Sequence, residues 1–372
     1  MHKKTFFNVN NGNCFLIELE NSQLILFDFA NPGGVDSENL TADTAAEIKA
    51  ILKSKGRNYL DVVAFTHLDS DHIGKASEHF YFDSAAKYQS EDRIRINSLW
   101  VPAGAILEFD AEDEAGIVRR EACYRLRKGK GIRVFSRPER LEQWLNSQKP
   151  SIALDERRHL ICDAGEPVSG FNKAIDGVEF FVHSPFAHRQ DDNKLIDRNT
   201  NCIVVQATFL CGNRETKVLL MGDMTWEGLD ALIEITRKHE NDRFLEWDIY
   251  ALPHHCSYLS LSSEKGVSIT KPTENIKWLL ETQSQPKARI VSSSKIIPPI
   301  DTIQPPHFQA ANYYRSCAQK VDGKFIVTME HPSKKEPEPL VIKINEFGAT
   351  VEKRINASAA PAIATKTTPR AG

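Results

Sequence analysis

The chain has 372 residues, 41% apolar and 26% charged, with a formal net charge of −3. These values suit a folded globular protein of one large domain or two ordinary ones, and they exclude a global basic field that draws in nucleic acid. No apolar run is long enough to span a bilayer, residues 1–7 have no signal-type apolar core, and the seven cysteines form no Cys-x-x-Cys pair. The expectation is a cytoplasmic protein with reduced thiols, away from the membrane.

In chain order, residues 5–30 read as a β-hairpin. Residues 6–9 form a strand, 10–13 (Asn-Asn-Gly-Asn) a turn, 14–19 the return strand, and 24–28 a third. Asp28 ends that apolar strand. An acid there either caps the next segment or lies beneath a metal site and orients a ligand. Ala45, Ile48, Ile51 and Leu52 share a helical face. Val62-Val63-Ala64-Phe65 is a buried strand that runs into Thr66-His67-Leu68-Asp69-Ser70-Asp71-His72-Ile73-Gly74. Residues 96–101 form the next strand.

Residues 103–170 are less regular. The acidic stretch 108–114 and the basic run holding Arg125, Arg127, Lys128, Lys130 and Arg133 read as an amphipathic hairpin of helices with solvated faces. The basic run offers, as the alternative, a grip on phosphates. Leu141, Trp144 and Leu145 mark a short helix. Strands follow at 178–183, at 202–209 paired with 217–221, at 248–253 and at 288–292. Helices fall at 225–239, 274–281 and 309–320, and residues 324–328 and 340–344 close the pattern as strands. From about 355 the chain is rich in Ala, Pro and Thr and reads as a disordered tail.

Chemistry concentrates in three loops. Four side chains within six positions can ligate a metal: His67, Asp69, Asp71 and His72. Imidazole nitrogen with carboxylate oxygen suits a divalent ion of the zinc or manganese type. The carboxyl end of a buried strand is where an α/β protein places its site. Gly222-Asp223 ends a second apolar strand; the carboxylate can bridge two ions, though Asp after Gly is also a turn signal. His254-His255 ends a third. Adjacent imidazoles point in different directions, so one can ligate while the other serves as acid, base or phosphate contact. His307, after Pro305-Pro306, is a late candidate for phosphate contact or a plain loop histidine.

These motifs resemble the metallo-β-lactamase-fold hydrolases, and most closely the branch related to the nuclease-type domain of the DNA-uptake protein ComEC. The similarity runs in segment order over about 5–348. It lies in the turn 9–14, the strand-end Asp28, the loop 66–74, Ser184-Pro185 with residues 199–202, Leu219-Leu220-Met221-Gly222-Asp223 and Pro253-His254-His255-Cys256-Ser257. The resemblance implies an α/β fold of the αββα sandwich type, two mixed β-sheets flanked by helices. It implies a single domain over 1–354 with an insertion at about 75–175, ahead of the tail 355–372. It implies two divalent ions, zinc first and manganese second. One is held by His67, Asp69 and Asp223, the other by Asp71, His72, Asp223 and one of His254 and His255.

The expected activity is that of a metal-dependent phosphodiesterase or nuclease, with a metal-bridging hydroxide as nucleophile. Asp71 ligates or orients that hydroxide, and the non-ligating member of the histidine pair protonates the leaving group. Asp28, His307, Arg125, Arg127 and Lys128 are the supporting candidates, beneath the metal or towards a nucleic-acid or smaller phosphodiester substrate. The alternatives are a lactone or thioester hydrolase on the same site, and a non-catalytic binding module working through residues 75–175. A partner protein or oligomer is compatible with each. The chain departs from the wider pattern in three places. Asp69 stands where most of the superfamily, though not this branch, has His. Cys256 stands where Gly is usual and is expected to crowd substrate. No His at 199–202 supplies the central ligand, and His183 and His188 are the nearest in sequence.

Overall fold

The computed structural model describes residues 1–32, 40–191 and 197–352. The expected tail from 355, and part of the polar loop at 190–201, lie outside the described residues.

Two sheets form the middle of the molecule. The first contains, among the described residues, β1 (His2–Phe6), β2 (Phe15–Glu18), β3 (Leu24–Phe27), β4 (Tyr59–Ala64), β5 (Arg95–Pro102), β6 (Ile132–Phe135), β7 (Ile161–Cys162), and, late in the chain, β14 (Leu340–Asn345) and β15 (Gly348–Val351). Their order is β15-β14-β1-β2-β3-β4-β5-β6-β7. The second contains β8 (Val178–Ser184), β9 (Val204–Cys211), β10 (Arg214–Leu220), β11 (Trp247–Ala251), β12 (Ser284–Ser292) and β13 (Lys324–Val327), in the order β13-β12-β11-β10-β9-β8. Both sheets are mixed. β3 to β7 are parallel, as are β10 to β13, and the remaining pairs are antiparallel.

The period-2 alternation of strands decides the layers. In β3, Ile25 and Phe27 face the second sheet, while Leu24 and Leu26 face the helices outside. In β10, Val218 and Leu220 face inward and Leu219 outward. Strands buried on both faces read as unbroken apolar runs, which is why these segments were legible. The helices Thr44–Ser54, Asp113–Lys128 and Glu139–Asn146 cover the first sheet; Trp226–Lys238, Glu274–Glu281 and Phe308–Lys320 cover the second. The result is the αββα sandwich, with an inner core where Trp100 of β5 meets Phe180 of β8 edge-on at 5.7 Å. Such aromatic pairs add roughly 0.5–1.5 kcal/mol beyond area burial. One lysine is sealed into this core: Lys4 of β1 is fully buried, its amine 3.9 Å from the Phe15 ring centroid and without a hydrogen-bond partner. Burial holds that amine well below its usual range.

Two expectations change. The first strand lies at His2–Phe6, not 6–9. β1 is hydrogen-bonded on both sides, to β2 and β14, so its lysines sit in a central ladder despite their charge. The acidic and basic stretches are not a helical hairpin. One helix, Asp113–Lys128, ends at Gly129 in the left-handed region (φ 73°), and the chain turns directly into β6. Residues 75–175 carry β5, β6 and β7, which extend the first sheet beyond β4.

Candidate metal centre

The parallel strands of both sheets end at the same place. β4 runs into the loop 65–69 and the helical turn Ser70–Ile73; β10 runs into Gly222-Asp223; β11 runs into Pro253-His254-His255. The Ile203 amide donates to the Thr66 carbonyl at 2.9 Å and ties the two sheets together beside the site. Gly74 (φ 47°) lets the turn close on β3: a Cβ there would lie 2.4 Å from the Phe29 carbonyl oxygen. Asp69 occupies the N-cap position of the turn, yet its side chain makes no capping bond, which leaves the carboxylate for other work.

Four of the expected residues converge. One donor atom from each of Asp71, His72, Asp223 and His255 lies within 4.8 Å of all the others. His72 Nε2 is 3.0 Å from Asp223 Oδ1, and His255 Nε2 is 2.9 Å from Asp71 Oδ2 and 3.2 Å from Asp223 Oδ2. His72, Asp223 and His255 are buried, and the Asp71 side chain is 37% exposed. Asp71 therefore forms the open side of the group.

The far side of each imidazole is anchored. His72 Nδ1 donates to Asp28 Oδ2 at 2.8 Å, and His255 Nδ1 donates to the Ser293 carbonyl at 2.8 Å. Those bonds assign the proton to Nδ1 and turn the Nε2 lone pair towards the carboxylates. Asp28 is completely buried and also accepts from the Thr66 amide (2.7 Å) and hydroxyl (2.8 Å). It does not join the four donors; it holds one of them. Thr66 and Ser293 had no assigned part in the sequence reading. Thr66 was signalled by its place beside His67, whereas nothing in the sequence ties Ser293 to His255.

Electrostatics follow from this crowding. Burial works against charge on His255, but Asp223 and Asp71 outweigh it and push the imidazole up to about 10. His72 is likewise raised, against burial, by Asp223 and Asp28. Asp223, against burial, is held well below the usual carboxylate range by His255 and His72. Asp71 is lowered in the same way, chiefly by His255.

The donor chemistry fits a divalent ion. His72 Nε2 and Asp223 Oδ1, 3.0 Å apart, and His67 Nε2, 3.4 Å from Asp69, are buried with no hydrogen-bond partner beyond these candidate ligands. Two imidazole nitrogens and two carboxylates, aimed at one point and supported from behind, match the zinc and manganese preference for mixed N and O ligands.

Other candidates separate from this group. His254 shares the turn but not the direction: its ring is at 81° to that of His255, with centroids 6.2 Å apart. His254, His255 and Cys256 all have positive φ (49°, 50° and 66°), a run of left-handed backbone that swings successive side chains apart. Cys256 is fully buried in the outer core of the second sheet and does not crowd the donors. His67 lies against His72 (ring centroids 3.9 Å) and 3.4 Å from Asp69. Burial opposes the Asp69 charge, but His67 and then Arg198 hold the carboxyl below its usual range. His183 is committed to Thr236 and the Phe244 carbonyl, and His188 is exposed, so neither supplies a central ligand. His307 has both ring nitrogens engaged, Nδ1 by the Tyr258 amide and Nε2 by the Ile303 carbonyl, which leaves none for a phosphate.

The basic residues lie at the wrong end. Arg125 donates to the carbonyls of Ile96 and Gly131, at the start of β5 and before β6. Ile96 pairs with Leu60, four residues before the end of β4. At the usual strand rise that is about 13 Å from the metal loop. Arg125 is itself buried against Glu121 at 2.6 Å, whereas Arg127 and Lys128 are exposed on the last turn of the helix.

An αββα sandwich with a metal-competent group at its strand ends is thus the class that fold and site define. No protein-family model and no curated protein matches the chain. The solved structures similar to it include two that align over most of the chain at low scores. One is a diphosphatase described as from the PhnP family, with TM-score 0.35 and 11% identity over 95% of this chain and 100% of that one. The other is BJP-1, a subclass B3 metallo-β-lactamase of Bradyrhizobium japonicum, with TM-score 0.29 and 13% identity over 74% of this chain and 89% of that one. Among the described residues no helix is long and apolar enough to cross a membrane.

Proposed function

We propose that this protein is a metal-dependent hydrolase that cleaves phosphodiester bonds. The observation that carries the reading is the group Asp71, His72, Asp223 and His255, brought within 4.8 Å from the ends of parallel strands in both sheets. A divalent ion bound there supplies a Lewis acid and a source of nucleophile at neutral pH. His72, Asp223 and His255 are the holding residues, all three buried, with His72 fixed from behind by Asp28 and His255 by the Ser293 carbonyl. Asp71, the exposed member, completes the donor set on the open side, where the attacking water enters. His254, half-buried and with Nδ1 unpartnered, is the residue for the leaving-group proton. The phosphodiester preference rests on the resemblance of residues 66–74, 219–223 and 253–257 to a nuclease-type branch. A nucleic-acid substrate loses its physical support, since the basic run lies at the far end of the sheet.

The test is turnover by chelator-stripped protein reloaded with zinc or manganese. The substrates are a bis-aryl phosphate, single- and double-stranded DNA, RNA and a lactone, each with wild type and Asp223→Asn. Metal-dependent cleavage of a phosphodiester, lost at least about 100-fold in the variant, is expected. Turnover of the lactone alone would replace phosphodiester by carbonyl chemistry. A folded protein that neither binds metal nor turns over any of them defeats the hydrolase reading.

A further inference from the structure

The place expected for a first ion, beside His67 and Asp69, already contains a positive charge. Arg198 Nη1 donates to Asp69 Oδ1 at 2.7 Å and to the Leu68 carbonyl at 3.0 Å. Its Nε lies 3.1 and 3.0 Å from the two Glu108 carboxylate oxygens, and its Nη2 pairs with the same carboxylate. Glu108 follows the short helix Ala103–Leu107 and is largely buried. Four of the five N–H donors of the guanidinium are thereby committed, and an arginine keeps its charge at any working pH. The charge is fixed in position, not a mobile surface side chain.

His67 and Asp69 gather no third donor of their own. The group of metal-competent residues found among the described residues is Asp71, His72, Asp223 and His255, without His67 or Asp69. Both Asp223 oxygens turn towards the histidines of that group, Oδ1 to His72 and Oδ2 to His255. His183 and His307 are spent on other bonds. A cation placed between His67 and Asp69 would therefore have two side-chain ligands and a guanidinium sharing one of them.

We propose that the centre binds a single tight divalent ion, at Asp71, His72, Asp223 and His255, and that Arg198, clamped by Glu108, takes the place of a second ion at Asp69. This rests on the reading of those four residues as a metal site. It does not depend on which bond the protein cleaves.

The stoichiometry of binding tests it apart from activity. Chelator-stripped protein is titrated calorimetrically with zinc or manganese, and bound ions are counted by native mass spectrometry. Wild type is expected to take up one equivalent at least 100-fold more tightly than any further one. Asp69→Asn retains that equivalent and Asp223→Asn loses it. Arg198→Met uncovers Asp69 and tightens a second binding event at least 10-fold. Glu108→Gln, which frees the arginine without touching a donor, moves the second event the same way, and near-ultraviolet circular dichroism confirms that each variant is folded. Two equivalents of similar affinity in wild type overturn the inference. So does a second event that neither variant changes, or a folded wild type that binds none. One equivalent without phosphodiester turnover upholds it while removing the substrate reading. Two equivalents with turnover does the reverse.

Discussion

The two neighbouring histidines divide the work, and substitution separates them. His255→Gln is expected to abolish tight metal uptake. His254→Gln is expected to retain one equivalent and to lose about 10²–10⁴-fold in kcat, the range for removing a positioned proton donor. Calorimetry and steady-state kinetics on the same samples decide it. The metal-free site also makes stability depend on pH. His255 is raised above its unfolded value to about 10 by its carboxylate partners. Its contribution is therefore fully present below about pH 6.5 and fades as pH rises through 10. The Tm of chelator-stripped wild type, minus that of His255→Gln, is expected to shrink across that window, while metal affinity grows as the competing protons leave. At this scale the sequence was informative because His67, Asp69, Asp71 and His72 are crowded into six positions. It was silent on which of His254 and His255 turns inward, because left-handed backbone at residues 254–256 decides that and no propensity favours it. Asp28 was marked by its place at a strand end, whereas the Ser293 carbonyl behind His255 is legible only once strand ends are known to meet.

At the level of elements, the loop after β4 depends on how closely it can approach β3. Gly74 has φ 47° and ψ −134°, a region that other residues avoid. Gly74→Ala is expected to cost about 1–3 kcal/mol in denaturant unfolding without metal. It is also expected to weaken metal binding by displacing His72, whose carbonyl accepts from the Phe29 amide at 2.6 Å. Unchanged affinity would show that the turn is not held by this contact. Elements buried on both faces were legible from apolar runs alone, as with β3, β4, β10 and β11. The failures have physical causes. β1 was displaced because its lysines look like surface residues until both flanking strands are placed. The hairpin of helices was expected because charge pattern outweighed Gly129 and Gly131, both with positive φ, which end the helix and start a strand. β7 has two residues and carries no periodicity at all.

For the whole molecule, charge and chemistry occupy opposite ends of the first sheet. Lys128→Gln and Lys130→Gln are expected to leave kcat/KM and its salt dependence unchanged within twofold on any phosphodiester. Arg125→Gln is expected to destabilise by about 3–5 kcal/mol, because it strands the buried Glu121. A salt slope that falls in the lysine variants would restore the basic run to the substrate path. The pairing that matters most at this scale, Arg198 with Glu108 and Asp69, joins residues 90 and 129 positions apart. Nothing local marks it, since Arg198 and Glu108 look like ordinary surface charges until β5 and the segment before β9 are brought to the same end.

The lysine sealed between the sheets gives the molecule an internal clock. Burial pushes the Lys4 amine well below its usual range, towards the neutral form that an acylating reagent attacks, yet it has no exposed surface while the sandwich is shut. An acylating reagent reaches it only when the two sheets part, so its rate of modification counts those openings at one named position, as amide exchange counts them along the backbone. Once acylated, the side chain is too large for its slot against Phe6 and Phe15, and the sheets cannot close over it as before. Lys4 is expected to be the last lysine in the described chain to react, and the one whose reaction is irreversible for the fold.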